Sequence, residues 1–270
     1  MQQNVVVSAD WLAERLDDVH IVDVRDRWEY EGIGHLPGAV NIPFEKFRSA
    51  DASDAGMLPS SEPWADLLGN AGISEDDTIV AYDDMHGVFA ARFLVTAELY
   101  GHETLHLLDG DFSSWQKAHE TTTNAPDPEN VPYQVQDPAD TPLVSREEVE
   151  AAIDDSHTVL VDTRDPEEFA EGHLPNAINV DWLDLVDDET RGLKSPDKLR
   201  EILESNGITP NKRVVLYCNT ARRISHSYVV LSHLGYDDIG FYEGSLTEWN
   251  NEGGDLETSR SGMNDDRSPP

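Results

Sequence analysis

The 270-residue chain contains two copies of one long unit. Residues 22–42 read VDVRDRWEYEGIGHLPGAVNI, and residues 161–180 read VDTRDPEEFAEGHLPNAINV. With a one-residue gap, Asp23 aligns with Asp162, Arg25 with Arg164, Asp26 with Asp165, and Asn41 with Asn179. Gly34-His35-Leu36-Pro37 falls on Gly172-His173-Leu174-Pro175. A second block follows. TIVAYD at 78–83 matches RVVLYC at 213–218, and LLDGDFSSW at 107–115 matches FYEGSLTEW at 241–249, placing Gly110 on Gly244 and Trp115 on Trp249. A solenoid repeats every 20–50 residues or so. This unit is far longer, so it implies two homologous domains, each long enough to bury a core.

The segment 121–142 holds five prolines and little apolar periodicity, as an extended connector does. The expected organisation is a first domain over 1–122, a linker over 123–140, a second domain over 141–255 and a disordered tail over 256–270. Each unit alternates strands and helices. In the second, Ser145 and Glu148 form the signature of a capping box for a helix reaching Ile153. Short strands are expected at Val159–Val161, Ala177–Val180, Arg213–Tyr217 and Ile239–Tyr242. Helices are expected at Lys198–Asn206, ended by Gly207, and at Ile224–Leu234, followed by Gly235. Short strands between helices imply an α/β fold, each domain a mainly parallel sheet with helices on both faces.

The charge balance is extreme. There are 54 acidic and 19 basic residues, a net charge of −35. Only Lys46, Lys117, Lys194, Lys198 and Lys212 are lysines. The acids are spread along the chain rather than blocked, which reads as whole-surface acidity of a protein from a high-salt cytoplasm. Self-repulsion at this charge predicts salt-dependent folding and argues against nucleic acid as a partner. One cysteine excludes an internal disulfide. Neither a signal peptide nor an apolar run of about 20 residues is visible, so a cytoplasmic location without membrane contact is expected.

The chemistry is expected in VVLYCNTARRISHSYVVLSHLGY. Cys218 follows a buried strand directly, and a helix starts a few residues later. In open α/β sheets the carboxyl end of a strand is where ligands bind. The first turn of that helix offers N–H groups without intrahelical partners and a partial positive charge. Arg222 and Arg223 add two cations. All three features favour thiolate over thiol and suit a bound oxyanion. The duplication supplies an internal comparison: at a fixed offset Cys218 faces Asp83, Arg222 faces Gly87, Arg223 faces Val88 and His226 faces Ala91. What both halves share is expected to be structural, including His35 and His173. What only the second half carries is expected to be chemical. His226 lies two helical turns from Cys218 and reads as a packing or hydrogen-bonding residue. The run Asp83-Asp84-Met85-His86 lacks a third ligand at useful spacing, so no metal site is expected.

These motifs resemble the rhodanese family from about residue 5 to residue 252. The resemblance implies tandem rhodanese-like domains with an inactive first copy, a site at the domain interface, and Cys218 as a persulfide-forming nucleophile. Cysteine phosphatases, by comparison, place five residues between cysteine and arginine. Here four separate Cys218 from Arg223, and Ile224 stands at the phosphatase position, which suits sulfur better than phosphate. The loop Cys218-Asn219-Thr220-Ala221-Arg222-Arg223 is similar to that of prokaryotic thiosulfate sulfurtransferases. Arg222 and Arg223, with Asn219, Thr220 and Ala221, would bind a dianionic donor. Cyanide or a thiol, including a protein thiol, would be the acceptor, with no metal or organic cofactor. A mercaptopyruvate sulfurtransferase, whose loop is usually glycine-rich and whose arginine after Asp-x-Arg is here replaced by Glu167-Glu168, is the alternative within the family. A non-catalytic sulfur-relay or binding module is the alternative outside catalysis.

Overall fold

The structure is a computed structural model that describes residues 1, 5–49, 57–136 and 141–259. In the first domain the chain runs through β1 (Val6–Val7), α1 (Ala9–Ala13), β2 (His20–Asp23), α2 (Arg27–Gly32), β3 (Val40–Asn41), α3 (Ser61–Asn70), β4 (Ile79–Tyr82), α4 (Val88–Leu99), β5 (Leu105–Leu108) and α5 (Phe112–Trp115). The second domain follows with α6 (Arg146–Ala152), β6 (Thr158–Asp162), α7 (Pro166–Glu171), β7 (Ile178–Asn179), α8 (Pro196–Ser205), β8 (Arg213–Tyr217), α9 (Arg222–Leu234), β9 (Ile239–Phe241) and α10 (Ser245–Asn251). The strands order as β1-β5-β4-β2-β3 in one sheet and β7-β6-β8-β9 in the other. Every pairing between these strands is parallel. The counterpart of β1 in the second domain is a single parallel bridge from Leu143 to Phe241.

The shared motif is the structural skeleton of each copy. Arg25 reaches back to Asp23 at 2.5 Å and to the carbonyl of Gly34 at 2.7 Å. Arg164 does the same with Asp162 at 2.7 Å and Gly172 at 2.6 Å. Both pairs are buried, and the extra carbonyl satisfies donors that would otherwise be stranded away from water. The turn histidines stack on aromatic rings, His35 on Tyr30 at 3.8 Å and His173 on Phe169 at 3.7 Å. They are structural, as the duplication implied.

The same turn clips the end of each domain. His35 pairs with Thr122, and His173 pairs with Glu257, each in an antiparallel bridge. The indole N–H of Trp115 donates to Glu120, and that of Trp249 donates to Asp255. This corrects the expected tail: residues 256–259 belong to the second domain, because His173 exchanges two backbone hydrogen bonds with Glu257 and Ser259 donates to Ala170. Residues 260–270 lie outside the described residues. The described part of the linker follows the first domain, with Val131 bonded to Gly69, Gln136 bonded to Tyr100, and Tyr133 buried.

The domains meet through α4 and α9, which pack against each other. The α4 sequence VFAARFLVTAEL is apolar nearly all round, as a helix covered on every side must be. One core cluster therefore runs through both domains. Two ion pairs cross the same interface in opposite directions. Arg92 of the first domain meets Glu243 of the second at 2.5 Å, and Arg191 of the second meets Asp111 of the first at 2.7 Å.

Candidate active site

Strand β8 ends at Tyr217 and delivers Cys218 to the carboxyl edge of the second sheet, 2% exposed. The backbone of Cys218 is fixed on both sides. Its N–H donates to Ser245 Oγ at 3.2 Å, and its carbonyl accepts from the N–H of Leu246 at 3.0 Å. Ser245 Oγ in turn donates to the carbonyl of Tyr242. Thr247 donates to the carbonyl of Asn219. The start of α10 thus clamps the cysteine loop from one side. The loop turns into α9 through Ala221, which adopts a left-handed conformation with φ 63°. This early turn starts the helix at Arg222 rather than Ile224, two residues ahead of the sequence-based expectation.

The N–H groups of Asn219, Thr220, Ala221, Arg223 and Ile224 have no acceptor among the described residues. Only that of Arg222 is taken, by the carbonyl of Thr220 at 2.8 Å. The first domain shows what such a nest holds. There the carboxylate of Asp83, at the position of Cys218, accepts N–H bonds from Met85, Gly87, Phe89 and Ala90 at 2.7–3.0 Å. Burial pushes the Asp83 carboxyl above its ordinary range, against the opposite pull of these four donors.

The loop of the first domain is one residue longer. Helix α4 starts five positions after Asp83, whereas α9 starts four positions after Cys218. Equivalent backbone bonds agree: Ala91 to Gly87 in one copy, Ser225 to Ala221 in the other. The fixed-offset comparison therefore needs correction beyond the loop. Arg222 faces Val88, Arg223 faces Phe89 and His226 faces Arg92. On this register the amides of Gly87, Phe89 and Ala90 that hold Asp83 correspond to those of Ala221, Arg223 and Ile224.

The two arginines have different surroundings. Arg223 meets the Glu168 carboxylate, which also accepts from Asn219 Nδ2 at 2.7 Å. Two more carboxyls feel the Arg223 charge. Asp165 is held below its ordinary range, first by hydrogen bonding to Glu168, and Asp181 is raised by burial against the pull of Arg223. Arg222 forms no ion pair among the described residues. Its guanidinium carbon lies 4.9 Å from the ring centre of Phe89, across the domain interface. Burial, then the nearby Arg223, pulls the Arg222 guanidinium below its ordinary range, while Cys218 acts in the opposite sense.

A third cation belongs to this neighbourhood, and no motif announced it. Arg48 of the first domain stacks on Phe44 at 4.9 Å, and Phe44 packs edge-on against Phe89 at 4.7 Å. An arginine–aromatic–aromatic–arginine column thus links Arg48 to Arg222, and the charges of the two repel. The only sequence signal was an arginine in a chain poor in cations.

His226 is fully buried, edge-on to Trp182 at 5.1 Å, and neither ring nitrogen has a hydrogen-bond partner among the described residues. Burial takes it down to about 3, so the ring is neutral and serves as packing. The Asp83-Asp84-Met85-His86 run carries no cluster of three ligands among the described residues, because the Asp83 carboxylate is consumed by backbone amides.

Comparison with known proteins agrees with this architecture. The family model described as Rhodanese-like domain matches residues 8–118 and again 145–252. A Haloferax volcanii protein, provisionally named a thiosulfate sulfurtransferase, is 33% identical over 92% of this chain and 94% of its own length. The thiosulfate sulfurtransferase of Pseudomonas aeruginosa is 31% identical, and the sulfur carrier protein TtuD of Thermus thermophilus 32% identical, each over 92% of this chain and 94% of its own. Among solved structures, the 3-mercaptopyruvate sulfotransferase SseA of Escherichia coli superposes with a TM-score of 0.79 at 25% identity, covering 90% of this chain and 99% of that one. Two family matches on two pseudo-equivalent sheets make this chain a member of the rhodanese family with two tandem rhodanese-like domains.

Proposed function

We propose that the chain is a thiosulfate sulfurtransferase working through a persulfide on Cys218. The observation that carries this reading is the contrast between Asp83, whose carboxylate fills an amide nest, and Cys218, whose equivalent amides have no acceptor among the described residues. A persulfide has the same bond count from Cα to its outer atom as an aspartate has to its carboxylate oxygen. The nest is therefore sized for the outer sulfur of Cys218–S–S⁻.

In the first half-reaction the Cys218 thiolate attacks the outer sulfur of thiosulfate. A new S–S bond forms, the original one breaks, and sulfite leaves with its electron pair. Arg222 and the loop amides stabilise the charge as it shifts. In the second, cyanide or a thiolate attacks the outer sulfur of the persulfide, giving thiocyanate or a new persulfide and regenerating the Cys218 thiolate. No redox partner is needed. The names of the Pseudomonas and Haloferax relatives support thiosulfate as donor. The name of the Thermus relative, a sulfur carrier protein, supports sulfur carried on the chain itself. A high-salt cytoplasm belongs to the same reading, supported by the net charge of −35. No described helix is long and apolar enough to cross a membrane.

The test is intact mass after thiosulfate treatment, with steady-state turnover on thiosulfate and on 3-mercaptopyruvate. One added sulfur on the native chain and none on Cys218→Ser is expected, with thiosulfate the better donor. Faster turnover with 3-mercaptopyruvate would reassign the donor. No sulfur on native protein folded in high salt would end the catalytic reading.

A further inference from the structure

We infer that Glu168 is a positioning residue that fixes the Cys218 loop and withdraws Arg223 from anion binding. This rests on the sulfur-transfer reading above and names how its anion site is set.

Glu29 and Glu168 occupy the same place in the two copies, the third residue of α2 and of α7. In the first domain Glu29 closes a capping box, its carboxylate accepting the N–H of Asp26 at 3.2 Å. In the second, Asp165 still caps the helix by accepting the N–H of Glu168 at 2.9 Å. The reciprocal half of the box is absent there. The Glu168 carboxylate instead reaches Asn219 at 2.7 Å and Arg223. A helix-capping role would have reproduced the Glu29 geometry. The copy that carries the nucleophile has redirected this side chain to its loop.

Two consequences follow. Asn219 and Arg223 flank Thr220, Ala221 and Arg222, so one carboxylate ties both ends of the segment that follows Cys218. The same carboxylate neutralises Arg223, leaving Arg222 as the loop cation without an ion-pair partner among the described residues. The donor site then presents one loop charge at a defined place rather than two.

The experiment compares Glu168→Gln, Glu168→Ala and Glu168→Gln/Arg223→Ala with the native protein. Side chains at this position are 27% exposed, so the variants should fold. Glutamine can still accept from Asn219 but carries no charge. In Glu168→Gln, Arg223 is released, and KM for thiosulfate is expected to fall about fivefold while kcat falls as the loop loosens. Adding Arg223→Ala should return KM towards the native value without restoring kcat. In Glu168→Ala, exchange of the hydrogen-bonded loop amides of Arg222 and Ser225 should accelerate by about tenfold, with distant strands unchanged. An unchanged or raised KM in Glu168→Gln, or loop exchange as slow as native in Glu168→Ala, overturns the proposal. The exchange measurement needs no turnover. A protein inactive with thiosulfate would therefore sink the donor assignment while the loop still decides the role of Glu168.

Discussion

At the scale of single residues, the strongest contrast is between two arginines adjacent in sequence. Composition and spacing made Arg222 and Arg223 equal candidates for an anion. The fold separates them, because consecutive residues on a helix point about 100° apart. Arg223 turns towards Glu168 on α7, and Arg222 turns across the interface onto Phe89. Arg222→Ala is therefore expected to raise KM for thiosulfate about tenfold, in line with loss of one partly desolvated charge contact. Arg223→Ala should act mainly on kcat, through the loop. Steady-state kinetics on both variants checks this, and the reverse pattern would exchange their roles. The place of Cys218 directly after β8 was legible, and the first copy, with Asp83 there, supplied a control that a lone cysteine lacks. Arg48 was not, since its place depends on an aromatic column that brings Phe44 to Phe89 only after folding.

At the scale of elements, strand β8 has the bounds the sequence suggested, and the capping box of Ser145 and Glu148 is present. These features are local, so sequence reports them well. The register between the copies was less legible. An extra residue between Asp83 and α4 leaves no mark in the pattern, yet it moves His226 from facing Ala91 to facing Arg92. His226 lies on α9 against Trp182, and neither ring nitrogen has a hydrogen-bond partner among the described residues. A prediction follows from its pKa. The buried ring stays neutral down to about 3, whereas an unfolded histidine protonates near its ordinary value of 6.5. Below 6.5 the unfolded chain binds the extra proton, so stability falls as the pH drops from 6.5 towards 3 and is unaffected above 6.5. His226→Phe keeps a ring against Trp182 and removes the titration. Its stability should decline less between pH 6.5 and 4.5 than that of the native protein, by about 1–3 kcal/mol over that interval. Parallel stability–pH curves from chemical denaturation would count against a neutral buried His226.

At the scale of the whole molecule, the relevant quantity is the excess of 35 negative charges. Much of the charge pairing is exposed, as in Arg27–Glu31 and Lys198–Glu201, and contributes little. The interdomain pair Arg92–Glu243 is different: Arg92 is 1% and Glu243 12% exposed, so salt screens it weakly. Salt therefore weakens few of the contacts that hold the domains together, while it strongly reduces the repulsion among surface carboxylates. The Debye length falls from about 10 Å at 0.1 M to about 3 Å at 1 M. For a body of this size and charge the screened self-repulsion drops by on the order of 10 kcal/mol, from which the smaller change in the expanded unfolded chain is subtracted. The net is comparable with the stability margin of an ordinary domain, about 5–15 kcal/mol, and so large enough to decide folding. Thermal unfolding in potassium chloride is expected to show a midpoint that climbs by more than about 10 °C between 0.1 and 2 M. The active-site loop should follow the same curve, because α9 carries both the loop and the domain contact. A midpoint independent of salt would mean that pairing within the fold already neutralises the repulsion. Loss of activity well before loss of structure would instead place the salt requirement at the interface between α4 and α9.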